Sequence, residues 1–306
     1  MRKPRGTTRI VVIGGSAVFD AYQKDVSPDQ GGDWPHLVER YLRERGYNNV
    51  EVINAGMPGL ASFDALGLLY SQLWVYQPDY VIFYGAWNDI KYFKKLTPET
   101  PLISLFTPFD QKSNPFTEYQ GWWDRFLSNF QLYVKIRNRY YDWKFHVGEE
   151  GAMPEGAKYD ETYSPYGVKQ YRLDVELIVD ACRNINAKPV LITEVTLVSP
   201  NNSPEERKVI AYPYQQLTPA ALVRAYEDTY NVLRAVAKEK GVPLLDLTKQ
   251  LNGHRELFVD HAHLSSKGSH EVAKRVAEFL TLHLEHPQKN DRLPSSQSVE
   301  AHGANL

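Results

Sequence analysis

Apolar runs alternate with segments of helical periodicity along most of this chain. The runs are four or five residues long and span 10–13, 50–53, 80–84, 189–193 and 242–246. Runs of this length, apolar at nearly every position, are typical of strands that are buried on both faces of a sheet. The pattern therefore predicts five strands.

Between the runs, apolar residues recur every three or four positions, which is the spacing of one helix face. Each such segment starts at a residue that can cap or open a helix, and Gly46 is placed to end the first of them. The predicted starting residues are Asp33, Ser62, Thr218-Pro219 and Ser265 or Ser266. Strands that alternate with helices in this way predict an α/β fold with a parallel sheet between two helix layers.

One region departs from this alternation. Residues from about 90 to 166 contain no clear strand and are crowded with aromatic side chains, and residues 123–134 among them have helical spacing. We interpret the region as an insertion with its own small core, as a lid or substrate wall, or as both. It leaves the predicted sheet directly after a polar segment at 85–89, and long loops at that edge are often binding loops.

Composition excludes several classes of protein. The chain has 306 residues and a net charge of -2, with no long basic run, so nucleic acid is not an expected partner. No stretch is long and apolar enough to predict a membrane span. The single cysteine, Cys182, excludes an internal disulfide, and its place in an apolar helical stripe predicts a core residue.

The ends of the chain carry expectations of their own. No signal peptide is visible, so the sequence as written predicts a cytoplasmic protein. A basic start is also what remains when an N-terminal anchor is removed, and the protein would then be extracytoplasmic. We predict one domain over residues 1–285 and a polar, disordered tail over 286–306. The sequence does not predict an oligomeric state.

Four polar fragments coincide with the ends of these elements. Gly14-Gly15-Ser16, Asn54-Ala55-Gly56 and residues 85–89 follow the first three predicted strands, and residues 260–265 precede the last helix. The carboxyl ends of parallel strands meet at one edge of a sheet, where α/β proteins gather their binding residues. We therefore expect the four fragments to meet.

Together the fragments contain the parts of a serine hydrolase. Ser16 needs a base to take its proton, His263 is the candidate base, and Asp260 lies three residues before it, within reach of the other ring nitrogen. The Ser16 N–H, the Gly56 N–H and the Asn88 side chain are candidate donors of an oxyanion hole. His261 is a neighbour of the base, and a zinc site built on it would need further ligands that the sequence does not offer at a recognisable spacing.

The set resembles the SGNH/GDSL hydrolase superfamily, from residue 10 to about 284 apart from the insertion. The resemblance implies a three-layer α/β/α sandwich around a five-stranded parallel sheet. It also implies that Ser16, His263 and Asp260 form the catalytic triad, and that Gly56 and Asn88 complete the oxyanion hole. One position departs from the pattern, because Gly15 stands where the family commonly has aspartate. That change affects hydrogen bonding around Ser16 and not the triad.

This interpretation of the four fragments predicts a carboxylic ester hydrolase that needs neither a cofactor nor a metal. The favoured substrate is an O-acetyl group on a glycan. The alternatives are a lipase or thioesterase that acts on acyl chains, an acyltransferase that uses the same site, and a carbohydrate-binding protein with an inactive site. Four tryptophans are candidates to line the substrate site: Trp34, Trp87, Trp122 and Trp123.

Overall fold

A parallel sheet occupies the centre of the molecule. The structure, a computed structural model, describes residues 3–20, 32–93, 122–145 and 158–284. The strands are β1 (Thr8–Gly14), β2 (Val50–Gly56), β3 (Tyr80–Tyr84), β4 (Lys188–Ile192) and β5 (Leu244–Leu245). Their order in the sheet is β2-β1-β3-β4-β5. The predicted five-stranded parallel sheet is therefore confirmed. The strands β1 and β2 are longer than the sequence predicts, because β1 includes Gly14 and β2 includes Asn54-Ala55-Gly56.

The register of the strands aligns the polar fragments. Gly14 lies opposite Gly56 of β2 and opposite Tyr84 of β3, and Tyr84 lies opposite Ile192 of β4. The chain moves from β1 outward to β2 and then returns to the other side of β1 to form β3, so the connections diverge between β1 and β3. A crevice at such a point is where open α/β sheets bind ligands.

Helices cover the sheet in two groups, because right-handed crossovers that run in opposite directions along a sheet lie on opposite faces. The described helices are α1 (Ser16–Phe19), α2 (Trp34–Glu44), α3 (Ser62–Ser71), α4 (Trp87–Phe93), α5 (Trp122–Leu127), α6 (Gln131–Phe145), α7 (Pro165–Asn184), α8 (Pro204–Lys208), α9 (Tyr212–Gln215), α10 (Pro219–Lys240), α11 (Thr248–Leu251) and α12 (Ser266–Thr281). In one group α2 packs against α12, and in the other α7 packs against α3 and α10. Short 3-10 helices span Leu73–Tyr76 and Arg255–Leu257.

Three of the predicted caps are confirmed. Asp33 accepts a hydrogen bond from the His36 N–H, and Thr218 and Ser265 cap α10 and α12 in the same way. The prediction for Ser62 was wrong, because Ala61 is the N-cap of α3. Ser62 is the first residue of that helix, and its hydroxyl points into the protein.

Part of the aromatic segment is described, and it differs from the prediction. The single helical stretch predicted over 123–134 is two helices, α5 and α6. Among the described side chains of these helices, the buried ones are the ion pair of Arg137 Nε and Asp124 Oδ1 at 2.9 Å, whereas Phe126 and Phe130 are exposed. These described side chains form no apolar core, and the core predicted for the whole insertion stays a prediction. Residues 94–121 and 146–157, as well as the predicted tail from 286, lie outside the described residues.

Trp34 is a core residue, so its predicted place in a substrate wall was wrong. The side chain is 0% exposed, and its indole N–H donates to the Ala17 carbonyl at 2.9 Å. Its ring packs against Tyr84 with the centroids 5.2 Å apart. Trp34 thus supports the turn that carries Ser16 from beneath. Cys182 is also buried, as predicted, and burial raises the pKa of its thiol to about 12.

Candidate active site

Ser16 begins the one-turn helix α1 directly at the end of β1. Gly15 is the N-cap, and its carbonyl accepts hydrogen bonds from the N–H groups of Val18 and Phe19. This turn carries the Ser16 hydroxyl to the edge of the sheet, where its Oγ lies 2.7 Å from His263 Nε2. The predicted meeting of residues 16 and 263, which are far apart in sequence, is therefore present in the structure.

Asp260 holds His263 in place through both carboxylate oxygens. Its Oδ1 accepts hydrogen bonds from the backbone N–H groups of Ala262, at 3.0 Å, and His263, at 2.9 Å. Its Oδ2 lies 2.6 Å from His263 Nδ1. Burial alone would raise the pKa of Asp260, but the hydrogen bond from His263 and the nearby imidazoles outweigh it and lower the pKa to about 2. Asp260 is therefore ionised at neutral pH.

An ionised Asp260 selects the tautomer of His263. The carboxylate only accepts hydrogen bonds, so Nδ1 carries the ring proton. In the neutral imidazole Nε2 is then left without a proton and accepts the hydrogen bond of the Ser16 hydroxyl. Chemically, this arrangement can move a proton from Ser16 to His263 and stabilise the imidazolium that forms.

Asn88 reaches the same place from α4, the helix that follows β3. Its side-chain Nδ2 donates to the Leu60 carbonyl at 3.1 Å, and its Oδ1 accepts from the Tyr214 hydroxyl at 3.2 Å. A Cβ atom added to Gly15 would lie 2.5 Å from Asn88 Nδ2. The Asn88 amide therefore fills the space that a side chain at position 15 would need, which is a physical reason for glycine in the Gly-Gly-Ser fragment.

Gly56 is not available in the way that we expected. Its N–H donates to the Asn54 side-chain oxygen at 2.9 Å, and Asn54 Nδ2 donates to the Val18 carbonyl at 2.9 Å. The Asn54-Ala55-Gly56 fragment thus joins the end of β2 to α1. The prediction that the Gly56 N–H points into an oxyanion hole is contradicted by this geometry.

A neighbouring turn offers another backbone donor. The Leu60 N–H bonds to the Met57 carbonyl at 3.1 Å, and Gly59, which follows Pro58, has a φ of 81°, as the third residue of a type II turn does. No hydrogen bond within the described residues uses the Gly59 N–H. This turn adjoins the Asn88 amide through the Leu60 carbonyl. The Pro58-Gly59 pair was the signal in the sequence that identifies the turn.

Two buried acids hold the segment that carries Asn88. Glu194 follows β4, and its Oε2 accepts a hydrogen bond from the Ala86 N–H at 2.6 Å. Asp89 Oδ1 accepts from the N–H of Ser62, at 2.9 Å, and from its hydroxyl, at 2.6 Å. Burial raises the pKa of each acid to about 7. Glu194 was missed in the sequence, although a charged residue directly after a buried strand was a signal.

His261 and Trp87 form a buried layer behind His263. Their rings lie 3.9 Å apart between centroids, and Trp87 also stacks on Tyr214 and Tyr226. Burial lowers the pKa of His261 to about 4, so its ring is neutral at neutral pH. Trp87 is likewise buried, so the expectation that it lines the substrate site was wrong; it supports the site through His261.

The other two tryptophans that we predicted to line the site are exposed. Trp122 is 81% and Trp123 is 48% exposed, both on α5. Within the described residues, no ring contact or hydrogen bond joins either of them to Ser16, Asp260 or His263. Their predicted role as a substrate wall therefore stays a prediction.

One cluster in the described residues has the composition of a metal site. The ligand atoms of Asp260, His261 and His263 all lie within 4.8 Å of one another. Both ring nitrogens of His263 already lie at hydrogen-bonding distance from Ser16 and Asp260. A metal on this cluster would have to break one of those contacts, so the geometry favours the hydrogen-bonded arrangement.

The fold and this Ser-His-Asp arrangement define an α/β protein with a candidate serine hydrolase site. The family model of the GDSL-like lipase/acylhydrolase family matches residues 12–270. The chain belongs to this family and is a carboxylic ester hydrolase. None of its described helices combines the length and the apolar character needed to cross a membrane.

Solved structures share the fold at low sequence identity. The lipase/acylhydrolase from Enterococcus faecalis is 19% identical, with a TM-score of 0.52 over 92% of this chain and 100% of that chain. A mutant of Axe2, an acetyl-xylooligosaccharide esterase from Geobacillus Stearmophilus, is 13% identical, with a TM-score of 0.51 over 91% of this chain and 96% of that one. TesA is 15% identical, with a TM-score of 0.51 over 90% and 100%. No curated protein matches the sequence.

The buried acid Glu194 should make the stability of the protein depend on pH. Its pKa is about 7 in the folded protein, whereas an unfolded glutamate has a pKa of about 4.3. Between these values the unfolded chain has lost the proton and the folded chain keeps it, so this group lowers the free energy of unfolding as the pH rises. We expect Glu194→Gln to match the wild-type melting temperature near pH 4, at about the unfolded pKa, and to exceed it above about pH 7.

Thermal unfolding followed by circular dichroism across this pH range checks the expectation. Glu278→Gln, at an exposed position of α12, is the control and should follow the wild-type curve at every pH. A difference between Glu194→Gln and wild type that is the same at low and high pH contradicts the proposed titration of Glu194.

Proposed function

We propose that Ser16, His263 and Asp260 hydrolyse carboxylic esters by two-step acyl transfer. The observation that carries the proposal is the pair of contacts made by His263, 2.7 Å to Ser16 Oγ and 2.6 Å to Asp260 Oδ2. Ser16 Oγ attacks the ester carbonyl carbon while its proton passes to His263 Nε2. The tetrahedral intermediate collapses, the C–O bond to the alcohol breaks, and the alcohol leaves with that proton.

The second step restores the enzyme. Neutral His263 takes a proton from water, whose oxygen attacks the acyl carbon bound to Ser16. The bond between the carbonyl carbon and Ser16 Oγ then breaks, the proton returns to Ser16, and the carboxylic acid leaves. Asp260 stays ionised throughout and stabilises the imidazolium of each step, since its pKa of about 2 lies far below neutral pH.

The negative oxygen of each intermediate needs hydrogen-bond donors. The Ser16 N–H lies in the first turn of α1, where helix N–H groups have no partner within the helix. Asn88 Nδ2 has two protons, and the Leu60 carbonyl accepts one of them, so the other is left for the oxyanion. We assign the third donor to the Gly59 N–H in place of Gly56.

The substrate that we propose is an O-acetyl group on a glycan. An open groove of about 370 Å³ borders the Met57–Leu60 turn. Two exposed aromatic residues are neighbours in sequence of the groove and of the nucleophile: Phe63 precedes Asp64 of the groove and packs edge-on against Tyr92, and Phe19 is three residues after Ser16. Aromatic faces beside an open groove suit sugar rings, whereas a long acyl chain would need an enclosed apolar channel. Among the similar folds, Axe2 is described as an acetyl-xylooligosaccharide esterase.

Replacing Ser16 or His263 tests the mechanism. We expect Ser16→Ala and His263→Ala each to lower kcat on a chromogenic acetate ester by at least about 10⁴-fold, since members of a triad act as a unit. His36→Ala is a matched control, because His36 Nδ1 also lies 2.7 Å from an aspartate, Asp33, three residues before it. His36 lies exposed on α2, so its replacement should leave kcat unchanged. Wild-type kcat in Ser16→Ala removes the mechanism.

A series of esters tests the substrate. We expect kcat/KM to fall by at least about tenfold from acetyl to octanoyl esters of the same alcohol, because a chain of that length gains affinity only by burying its methylene groups. Acetate release from an acetylated oligosaccharide, measured against the same sugar without the enzyme, tests whether a sugar is the alcohol component of the ester substrate. Preference for octanoyl esters or acyl thioesters would instead support the hypothesis of a lipase or thioesterase that acts on acyl chains. Acetyl groups found on an added sugar acceptor would support an acyltransferase.

Gly15→Ala tests the role of Asn88 without removing a catalytic group. The backbone at Gly15 (φ -77°, ψ -157°) is one that alanine adopts, but the added methyl group would lie 2.5 Å from Asn88 Nδ2. We expect the amide to be displaced and kcat to fall by about 10²-fold, as after loss of one oxyanion donor.

Gly67→Ala in α3 is the control, because a Cβ there meets nothing within 4 Å. That variant should keep wild-type kcat. Steady-state kinetics and thermal unfolding of both variants separate a displaced amide from a general loss of folding. A wild-type kcat in folded Gly15→Ala would show that the Asn88 amide does not need its present position.

A further inference from the structure

The hydrogen bonds around Asn88 continue to a buried cation. We propose that Tyr214 is a positioning residue that orients the Asn88 amide toward the oxyanion, and that the Lys91 ammonium strengthens this amide as a donor through the Tyr214 hydroxyl. The inference rests on the proposed roles of Ser16 and Asn88 and adds two residues to them.

The contacts form a single chain. Lys91 Nζ donates to the Tyr214 hydroxyl oxygen at 2.9 Å, the Tyr214 hydroxyl donates to Asn88 Oδ1 at 3.2 Å, and Asn88 Nδ2 donates to the Leu60 carbonyl at 3.1 Å. The contact between Tyr214 and Asn88 is long for an O–H···O hydrogen bond, and such bonds at active sites often tighten only when substrate binds.

The direction of the chain follows from what each group can do. An ammonium only donates, so the Tyr214 oxygen is the acceptor for Lys91, and the Tyr214 hydroxyl in turn donates its proton to Asn88 Oδ1. A carbonyl only accepts, so the atom of Asn88 that faces Leu60 is the nitrogen and the atom that faces Tyr214 is the oxygen. Both neighbours therefore select the same orientation of the amide, and the remaining N–H of Asn88 has a fixed direction.

The surrounding packing holds each member of this chain in place. Asn88 and Lys91 are three residues apart on α4 and so lie on the same side of the helix. The Tyr214 ring comes from α9 and stacks on Trp87 with the centroids 5.8 Å apart and the planes 9° apart. Lys91 is only 5% exposed, so its ammonium lies in a medium that screens charge weakly. Removing the Tyr214 hydroxyl alone would leave this stack in place.

A positive charge at the end of this chain favours the transition state. Hydrogen bonds in series polarise one another, so the ammonium draws electron density from the Asn88 carbonyl and makes the amide N–H a stronger donor. The effect grows as negative charge develops on the substrate oxygen. An interaction that is stronger in the transition state than in the bound substrate raises kcat and does not only tighten substrate binding.

Tyr214→Phe is the first test, with kcat and KM measured on an acetate ester. We expect kcat to fall by about tenfold, which is less than the loss of a whole oxyanion donor, and KM to stay within about twofold. The melting temperature should stay close to wild type because the aromatic stack is kept. An unchanged kcat in Tyr214→Phe overturns the inference.

The protein offers a matched control at the opposite edge of the sheet, where the strands begin. The Tyr80 hydroxyl, at the start of β3, accepts from Lys188 Nζ at 3.4 Å and donates to the His283 carbonyl at 2.8 Å. Tyr80→Phe therefore also removes a tyrosine hydroxyl that links a lysine to a carbonyl, but far along the strand from Ser16. We expect wild-type kcat in this variant.

A double-mutant cycle separates positioning from a general structural role. If Tyr214 acts through Asn88, then Tyr214→Phe should lower kcat in the wild-type background and change it by less than about twofold in Asn88→Ala. Lys91→Met should likewise lower kcat in the wild-type background and have no further effect in Tyr214→Phe. The inference is overturned if Tyr214→Phe lowers kcat as much in Asn88→Ala as in wild type, or if Lys91→Met lowers it as much in Tyr214→Phe as in wild type.

The cycle also distinguishes this inference from the proposed function. If Ser16→Ala abolishes activity while Tyr214→Phe and Lys91→Met keep wild-type kcat, only the positioning inference fails. If Ser16→Ala itself keeps wild-type kcat, the proposed function fails and the inference fails with it.

Discussion

The register of β1 between β2 and β3 is the constraint on which the site depends. Because Gly14 lies opposite both Gly56 and Tyr84, the chain leaves β1 and β3 side by side at one edge of the sheet. Ser16 lies two residues after the end of β1, and Asn88 lies four residues after the end of β3. A shift of the register by one residue would turn each side chain to the other face and would separate the Asn88 amide from the position beside Gly15.

The space at Gly15 decides how closely the two strand ends can approach. The Asn88 amide occupies the volume that a Cβ at position 15 would need, so it packs directly against the backbone of the residue before Ser16. The family commonly has aspartate at this position, and here the Asn88 amide and the Leu60 carbonyl lie beside Gly15 instead, while the buried acid Glu194 holds the Ala86 N–H. These contacts hold the segment after β3 in place before substrate binds, which is what preorganised donors require.

The sequence contained the elements that depend on local patterns. Apolar runs and capping residues predicted the strands and most of the helix starts, and the four fragments together predicted that Ser16, Asp260 and His263 would meet. Contacts between segments that are far apart in the sequence could not be predicted from it. Whether the Gly56 N–H faces Ser16 or Asn54, whether Trp34 lies in a wall or beneath α1, and that Tyr214 reaches Asn88 all depend on how helices pack, and no spacing along the chain encodes that packing.

The charges of the site are arranged along the path of the proton. At neutral pH Asp260, with a pKa of about 2, carries a negative charge beside His263, whereas burial keeps His261, with a pKa of about 4, neutral. In the proposed reaction a proton moves to His263, which becomes positive next to Asp260. The matching negative charge develops on the substrate oxygen, on the side where the Asn88 amide connects to the Lys91 ammonium through Tyr214. In this proposal Asp260 acts directly on the charge of His263, and Lys91 acts on the substrate oxygen through Tyr214 and Asn88. A low-dielectric interior makes both attractions stronger than they would be in water.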